Sequence, residues 1–423
     1  MEHHRKIEPH LGLPIAAVAV LLVLQIFAPA PALAYVLAVM VGAVGVSYYW
    51  ARQLSEKVTL RREQRYGWAQ VGDIIEERFT LTNDSALPVL WAEVRDHSTL
   101  PGYTAARVTG VDGNSYSHWI SEGECRQRGI FTLGPVQIRM SDPFGFFSVT
   151  MQVGEETSFV VYPLIAMLPP MEPPRGTAPG RVRASLRTAE MTPSAASVRT
   201  YVPGDTLRRI HWPTTARRDE LYVKDYDREP GGDAWIILDL HEAVQAGQGE
   251  FSTVEYGVTL AASLADSLLR QNRAVGLLSD GAEYTLLPAE GGQVQLWRIL
   301  RSLAGAQAVG KQPLGQLIRQ AAPVLGRGIT AAIITPSLDP EWLVSLVDLQ
   351  QRGFGIRVIL LDAPSFGGQG SLAGMLGLLS ERRVTPWVIS KGYEFRPLTE
   401  RRRQRPIYKV LSTGRVIAVP PTA

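Results

Sequence analysis

Hydrophobicity changes its period three times along the chain. Residues 11–28 and 32–50 are two apolar runs without a single charge. Each would make a helix of roughly 27 Å at about 1.5 Å per residue, so the pattern predicts two spans of a bilayer's hydrocarbon core. Pro29, Ala30 and Pro31 between them suit a tight turn. A cleavable signal peptide is the rival reading of the small residues around position 30, and the immediate second run argues against it. Residues 57–165 then alternate between apolar and polar, which predicts strands at 59–66, 74–82, 89–96, 115–120, 129–134, 136–140 and 158–162. Short strands at this spacing imply an immunoglobulin-like β sandwich. Asp142-Pro143-Phe144-Gly145 reads as a turn between strands with Phe144 in the core.

The third period begins near residue 220. A strand is predicted over 221–226 and buried strands over 235–240, 274–279, 329–335, 356–362 and 385–390, with a hairpin partner over 283–288. Helices are predicted over 253–272, 293–303, 341–351 and 371–380. Strands alternating with helices mean a mostly parallel, doubly wound α/β sheet. The order of patterns divides the chain into a two-helix anchor (1–55), a β domain (56–165), a Pro/Arg-rich linker (166–198), an α/β domain with its leading segment (199–396) and a basic tail with two short strands (397–423).

Charge decides orientation. Arg5 and Lys6 precede the first run, and Arg52, Lys57, Arg61, Arg62 and Arg65 follow the second. The positive-inside rule puts both flanks, and so both soluble domains, on the cytoplasmic side of a two-pass protein of the inner (cytoplasmic) membrane. Tyr48, Tyr49 and Trp50 would lie at the inner interface. The formal net charge of +3 excludes a polycation, and no nucleic-acid-binding module is present, so no specific nucleic-acid partner is expected. Between positions 175 and 218, nine arginines face only Glu190 and Asp205, a stretch suited to anionic lipid or to pairing with the next domain. The lone Cys125 excludes an internal disulfide and a cysteine-rich zinc site.

One stretch organises the rest. In residues 199–226, Pro203-Gly204-Asp205 signals a turn, Asp205 is placed to cap, Leu207, Ile210 and Trp212 make an apolar side, and Pro213 is expected to end the helix. Tyr201-Val-Pro-Gly204-Asp205, Arg208-Arg-Ile-His211-Trp212, Ala216-Arg217 and Val223 closely resemble the signature of the bacterial family of domain of unknown function 58. Residues 128–136, 142–147 and 161–163 also look like the family's region before that signature. The resemblance implies a von Willebrand factor A-like domain after the signature, a MoxR-type AAA+ ATPase as partner, and a transglutaminase-like membrane protein as a neighbour.

Two constellations are candidate chemistry. A-type domains often hold Mg²⁺ at the end of their first strand through Asp-x-Ser-x-Ser with further oxygens from later loops. Asp239 is retained here, whereas His241 and Ala243 replace the serines; Thr335, Ser337 and Asp339 are the further oxygens. Arg199, Tyr201, Gly204, Asp205, Arg208, His211, Trp212 and Arg217 form the second, read as a docking surface or a bracing arginine–aspartate–histidine network with Tyr201 and Trp212 packed beneath. Asp205 and His211 are also the residues a hydrolase-like enzyme would use. No nucleophile elbow or phosphate-cradling loop accompanies them. The reading is a membrane-anchored, non-enzymatic adaptor or scaffold working with the AAA+ partner in protein-complex assembly or maturation. Its alternatives are a Mg²⁺-dependent protein-binding module at Asp239 and the enzyme at Asp205 and His211. No cofactor other than Mg²⁺ is implied.

Overall fold

The structure, a computed structural model, describes residues 4–64, 66–169, 197–200, 210–218, 220–225, 233–325, 330–398, 407–410 and 416–419. The chain separates into two compact units. The first comprises Met1–Ala166, Leu300–Ala306 and Arg396–Ala423; the second comprises Met167–Ile299 and Gln307–Phe395.

The first unit opens with β1 (His4–Pro9), followed by α1 (Gly12–Phe27) and α2 (Pro31–Lys57). Pro31 opens α2, where its missing N–H is no loss. The two apolar runs become helices of unequal length. At 16 residues α1 covers about 24 Å, less than expected of a full span, and α2, at 27 residues, is the described helix long and apolar enough to cross a membrane. Below the apolar stretch α2 continues into the β unit. Ala51 and Leu54 are fully buried there, and Trp50 Nε1 donates to the Pro88 carbonyl at 3.2 Å.

Ten further strands follow: β2 (Val58–Gln64), β3 (Trp68–Gln70), β4 (Ile74–Asn83), β5 (Val89–Asp96), β6 (Arg107–Val111), β7 (Ser115–Glu124), β8 (Gly129–Leu133), β9 (Val136–Ser141), β10 (Phe147–Val153) and β11 (Thr157–Tyr162). They form sheets ordered β1-β10-β9-β5-β6, β2-β4-β7 and β3-β11-β8 around one core. Alternate residues of β4 point inward, so Ile75, Phe79 and Leu81 are buried while their neighbours are more exposed. Phe79 stacks on Trp119 at 5.4 Å. The β-sandwich reading thus stands, but β1, β3, β6 and β10 were not anticipated. Residues 4–9 read only as a charged flank, and β10 lies beyond a turn that hid it. Phe144 is a correction: it is 55% exposed, and the core position belongs to Phe147.

The second unit starts with β12 (Ser197–Thr200), α3 (Trp212–Arg218) and β13 (Tyr222–Asp225), β12 and β13 pairing antiparallel. Then come β14 (Ala234–Leu238), a miniature ladder of β15 (Gly247–Gln248) with β16 (Phe251–Ser252), α4 (Thr253–Arg270), β17 (Val275–Asp280), β18 (Tyr284–Glu290) and α5 (Gln293–Ala304), whose start lies in this unit. α6 (Leu314–Ala321), β19 (Thr330–Thr335), α7 (Trp342–Gln351), β20 (Gly355–Leu361), α8 (Leu372–Glu381) and β21 (Trp387–Ile389) complete it. The sheet order is β18-β17-β14-β19-β20-β21, parallel throughout except for β18. Helices cover both faces, which is why β14 is buried at every position. Trp235, Ile237, Ile333 and Val358 share a core with α6, α7 and α8. On the other face Gly257 lets α4 approach closely, since a Cβ there would sit 3.1 Å from Leu238 Cδ1. α6 is a helix the sequence reading missed, although Leu314, Leu317, Ile318 and Ala321 make a buried stripe at helical spacing. The two strands expected in the tail, β22 (Ile407–Val410) and β23 (Val416–Val419), pair antiparallel.

Candidate functional site

Winding in the second unit reverses between β14 and β19, and open α/β sheets form their ligand crevice at the carboxyl ends of such strands. Asp239 follows β14 and Thr335 ends β19; Asp239 is 3% exposed and Thr335 fully buried. Thr335 Oγ1 donates to Asp239 Oδ2 at 2.6 Å, and the His241 N–H donates to Oδ1 at 3.1 Å. Burial pushes the Asp239 carboxyl above the ordinary carboxylate range, and the bonds from Thr335 and His241 pull it partly back.

A relay runs outward from this pair. Thr335 Oγ1 accepts the Ser337 N–H at 2.9 Å, Ser337 Oγ accepts the Asp339 N–H at 3.4 Å, and Asp339 Oδ1 accepts the Glu341 N–H at 3.0 Å. The four residues expected as metal ligands are therefore joined in one network. Hydrogen bonds among these residues and from backbone N–H groups fix the positions of their oxygens. Among the described residues, no three His, Cys, Asp or Glu side chains group as a ligand set.

The loop after β14 is held from the other side by residues the sequence did not single out. Gln245 Nε2 donates to the Asp239 carbonyl at 2.9 Å, and Thr253 Oγ1 donates to Gln245 Oε1 at 2.7 Å. Ser252 Oγ caps α4 by accepting the Glu255 N–H at 3.3 Å, a Ser-x-x-Glu spacing that could have located this boundary. On the rim, Phe251 is 55% exposed, with Lys391 Nζ 5.9 Å from its ring centre. Strands of two residues carry no periodicity, so nothing announced Phe251.

The signature residues are only partly within the described chain. Tyr201, Gly204, Asp205 and Arg208 lie outside it, and Arg199 is described as a backbone position paired with Val223. His211 lies within the described chain. Its N–H donates to the Tyr222 carbonyl at 2.7 Å, its carbonyl accepts the N–H groups of Thr214 and Thr215, and Nδ1 accepts the Thr214 N–H at 3.3 Å with Thr214 Oγ1 at 2.7 Å. His211 thus caps α3 and ties it to β13. Two expectations are corrected here. Pro213 begins the helix rather than ending it, since a proline in the first turn forfeits only an N–H that has no partner there. Trp212 is 65% exposed rather than packed beneath a network, while Ile210 takes the buried position. Arg217 is exposed on α3.

Residues 197–363 match the family described as protein of unknown function DUF58. The uncharacterized protein YeaD of Bacillus subtilis (strain 168) is 26% identical over 193 residues, 46% of this chain and 46% of its own length. The uncharacterized protein Rv1480 of Mycobacterium tuberculosis (strain ATCC 25618 / H37Rv) is 27% identical over 174 residues, 39% of this chain and 53% of its own length. The chain spans about half the length of the curated relatives it matches. Among solved structures, the CARDB domain of PF1109 from Pyrococcus furiosus covers 25% of this chain and 94% of its own length, at 10% identity and a TM-score of 0.19. The likeness to the DUF58 family is carried by a segment that holds both the His211-capped helix and the Asp239–Thr335 pair.

Proposed function

We propose that this chain is a membrane-anchored, non-enzymatic adaptor, with α1 and α2 crossing the bilayer as a hairpin and a von Willebrand factor A-like unit presenting a docking face in the cytoplasm. The observation that carries the anchor is the pairing of β1 with β10, six residues in register from His4–Gln152 to Pro9–Phe147. The residues before α1 and those after α2 belong to one β unit, so a chain leaving through α1 has to return through α2. Arg5 Nη1 strengthens this closure by donating to the carbonyl of Glu56, at the end of α2, at 3.1 Å. The cationic flanks, Arg5, Lys6, Arg52, Lys57, Arg61 and Arg62, favour the cytoplasmic side.

The docking face is the carboxyl end of the six-stranded sheet. Its sheet order agrees with an A-type domain, and Phe251, exposed on the rim with Lys391 beside it, offers an aromatic side chain for a partner to cover. By family resemblance the partner is a MoxR-type AAA+ ATPase, with ATP held by that partner, and a transglutaminase-like membrane protein is a further neighbour. The test is capture of the detergent-solubilised full chain from its host with and without ATP. Enrichment of an AAA+ ATPase that responds to nucleotide and falls with Phe251→Ala supports the adaptor; preparations free of any ATPase reject it.

A second reading, a Mg²⁺-dependent binding module, is favoured by the convergence of Asp239 and Thr335 at the switch point. Calorimetric titration decides it, since absence of heat at millimolar Mg²⁺ rejects the module.

A further inference from the structure

The turn over residues 142–147 lies where the chain passes from the β unit into α1. Pro9 pairs with Phe147, and the His10 N–H donates to the Phe146 carbonyl at 2.7 Å. Leu11, the residue before α1, rests against the sandwich core. α2 passes the same place, with the Tyr48 ring edge-on to Phe147 at 5.7 Å. Both helices therefore meet the β unit beside this turn.

The turn is built to present apolar surface. Its one ionisable residue, Asp142, is 2% exposed and turned inward, accepting the N–H groups of Phe144 at 2.9 Å and Phe147 at 2.7 Å. Pro143, Phe144 and Gly145 are exposed, and the rings of Phe144 and Phe146 stack at 5.8 Å. The exposed ring is that of Phe144, backed by Phe146, which is half-buried against the sandwich core. An aromatic ring at a tip, with the local carboxylate withdrawn, is costly in water and suited to the boundary between lipid head groups and acyl chains. Tyr48 and Tyr49 are exposed on α2 close by, and Arg52 follows one turn later, the sequence of groups that marks an interface.

We infer that this turn is a second membrane contact: Phe144, supported from behind by Phe146, seats in the bilayer interface beside α1 and α2 and holds the β sandwich against the lipid surface. The inference rests on the reading of α1 and α2 as an anchor. The occupant is lipid because the patch is continuous with helices that lipid would cover and carries no outward charge. The turn, which as sequence reads as a plain connection, thereby acquires a role.

The test uses the full chain in vesicles of phosphatidylcholine and phosphatidylglycerol. A nitroxide is attached at Phe144→Cys in a Cys125→Ser background, and its collisions with oxygen, concentrated in lipid, are compared with those of a water-soluble nickel chelate. Val39→Cys, within α2, reports the anchor; Glu155→Cys, in the turn between β10 and β11, reports water. The expected result is a label at Phe144→Cys that favours oxygen several-fold more than the label at Glu155→Cys. Pro143→Cys repeats the reading with both rings intact. If position 144 and position 143 collide with nickel as freely as position 155 while position 39 favours oxygen, the turn contact is overturned and the anchor stands. If position 39 also collides freely with nickel, both are overturned.

Discussion

The hydroxyl of Thr335 donates to Oδ2 of Asp239 at 2.6 Å, tying the end of β19 to the end of β14 at the point where the sheet reverses its winding. Thr335→Val keeps the shape and removes the donor. It leaves a buried carboxyl short of one hydrogen bond and the Ser337 N–H without its acceptor. The expected cost is about 1–3 kcal/mol, read as a lower urea midpoint with an unchanged slope. A midpoint equal to that of the parent protein would show that the bond contributes nothing.

Asp239 also makes stability depend on pH. Its folded carboxyl holds a proton to higher pH than the unfolded chain, chiefly because it is buried. Between the ordinary carboxylate value of about 3.9 and the raised folded value, the folded state binds more protons, so this group's contribution to stability falls as pH rises. Asp239→Asn removes that dependence. The stability of the variant relative to the parent is expected to rise with pH through this window and level off above it, as urea midpoints at a series of pH values would record.

In the first unit, Arg62 grips Glu77 with Nε and Nη2, the closest contact being 2.8 Å, and the Tyr103 hydroxyl donates to the same carboxylate. Glu77 is fully buried and the Arg62 side chain 12% exposed. Arg62→Met strands the carboxylate, and a loss of about 3–5 kcal/mol is expected in thermal or urea unfolding. Replacing all three residues together, Arg62→Met with Glu77→Leu and Tyr103→Phe, is expected to recover most of that loss, because apolar groups need no partners. A triple variant as unstable as the single one contradicts this account.

His211→Ala removes the cap of α3 and is expected to cost about 0.5–2 kcal/mol, with His211→Asn retaining most of the stability. Loss of cellular function by both variants at full stability would instead favour chemistry at His211.

The anchor predicts that Lys6→Cys and Glu56→Cys, on either side of the helix pair, react with a membrane-impermeant maleimide from the same side. Inverted vesicles should label both and intact spheroplasts neither; labelling of one position from each side excludes the hairpin.

How much of this was legible depended on whether a residue's role was written in its neighbours. The alternation over 74–82 marks β4 because one strand face must be apolar, and the run over 235–240 marks β14 because both faces are covered. Asp239, Thr335, Ser337 and Asp339 were legible as polar residues after two strands. Their use as a hydrogen-bond relay was not, because that requires two strands 96 residues apart to lie side by side. Residues 4–9 have no apolar period and become a strand only because β10 offers an open edge.

The sequence by itself determined the order of the parts: apolar helices, β domain, α/β domain and the signature before the last. Those are set by local hydrophobic period and by turn and helix-breaking residues, which act within a few positions. Tertiary structure alone decided that Phe147 enters the core while Phe144 faces outward, that Pro213 starts a helix, and that β1 closes onto the sheet beyond the helices. Each of these turns on which surface a residue meets, and a surface assembled from distant segments leaves no trace in local order.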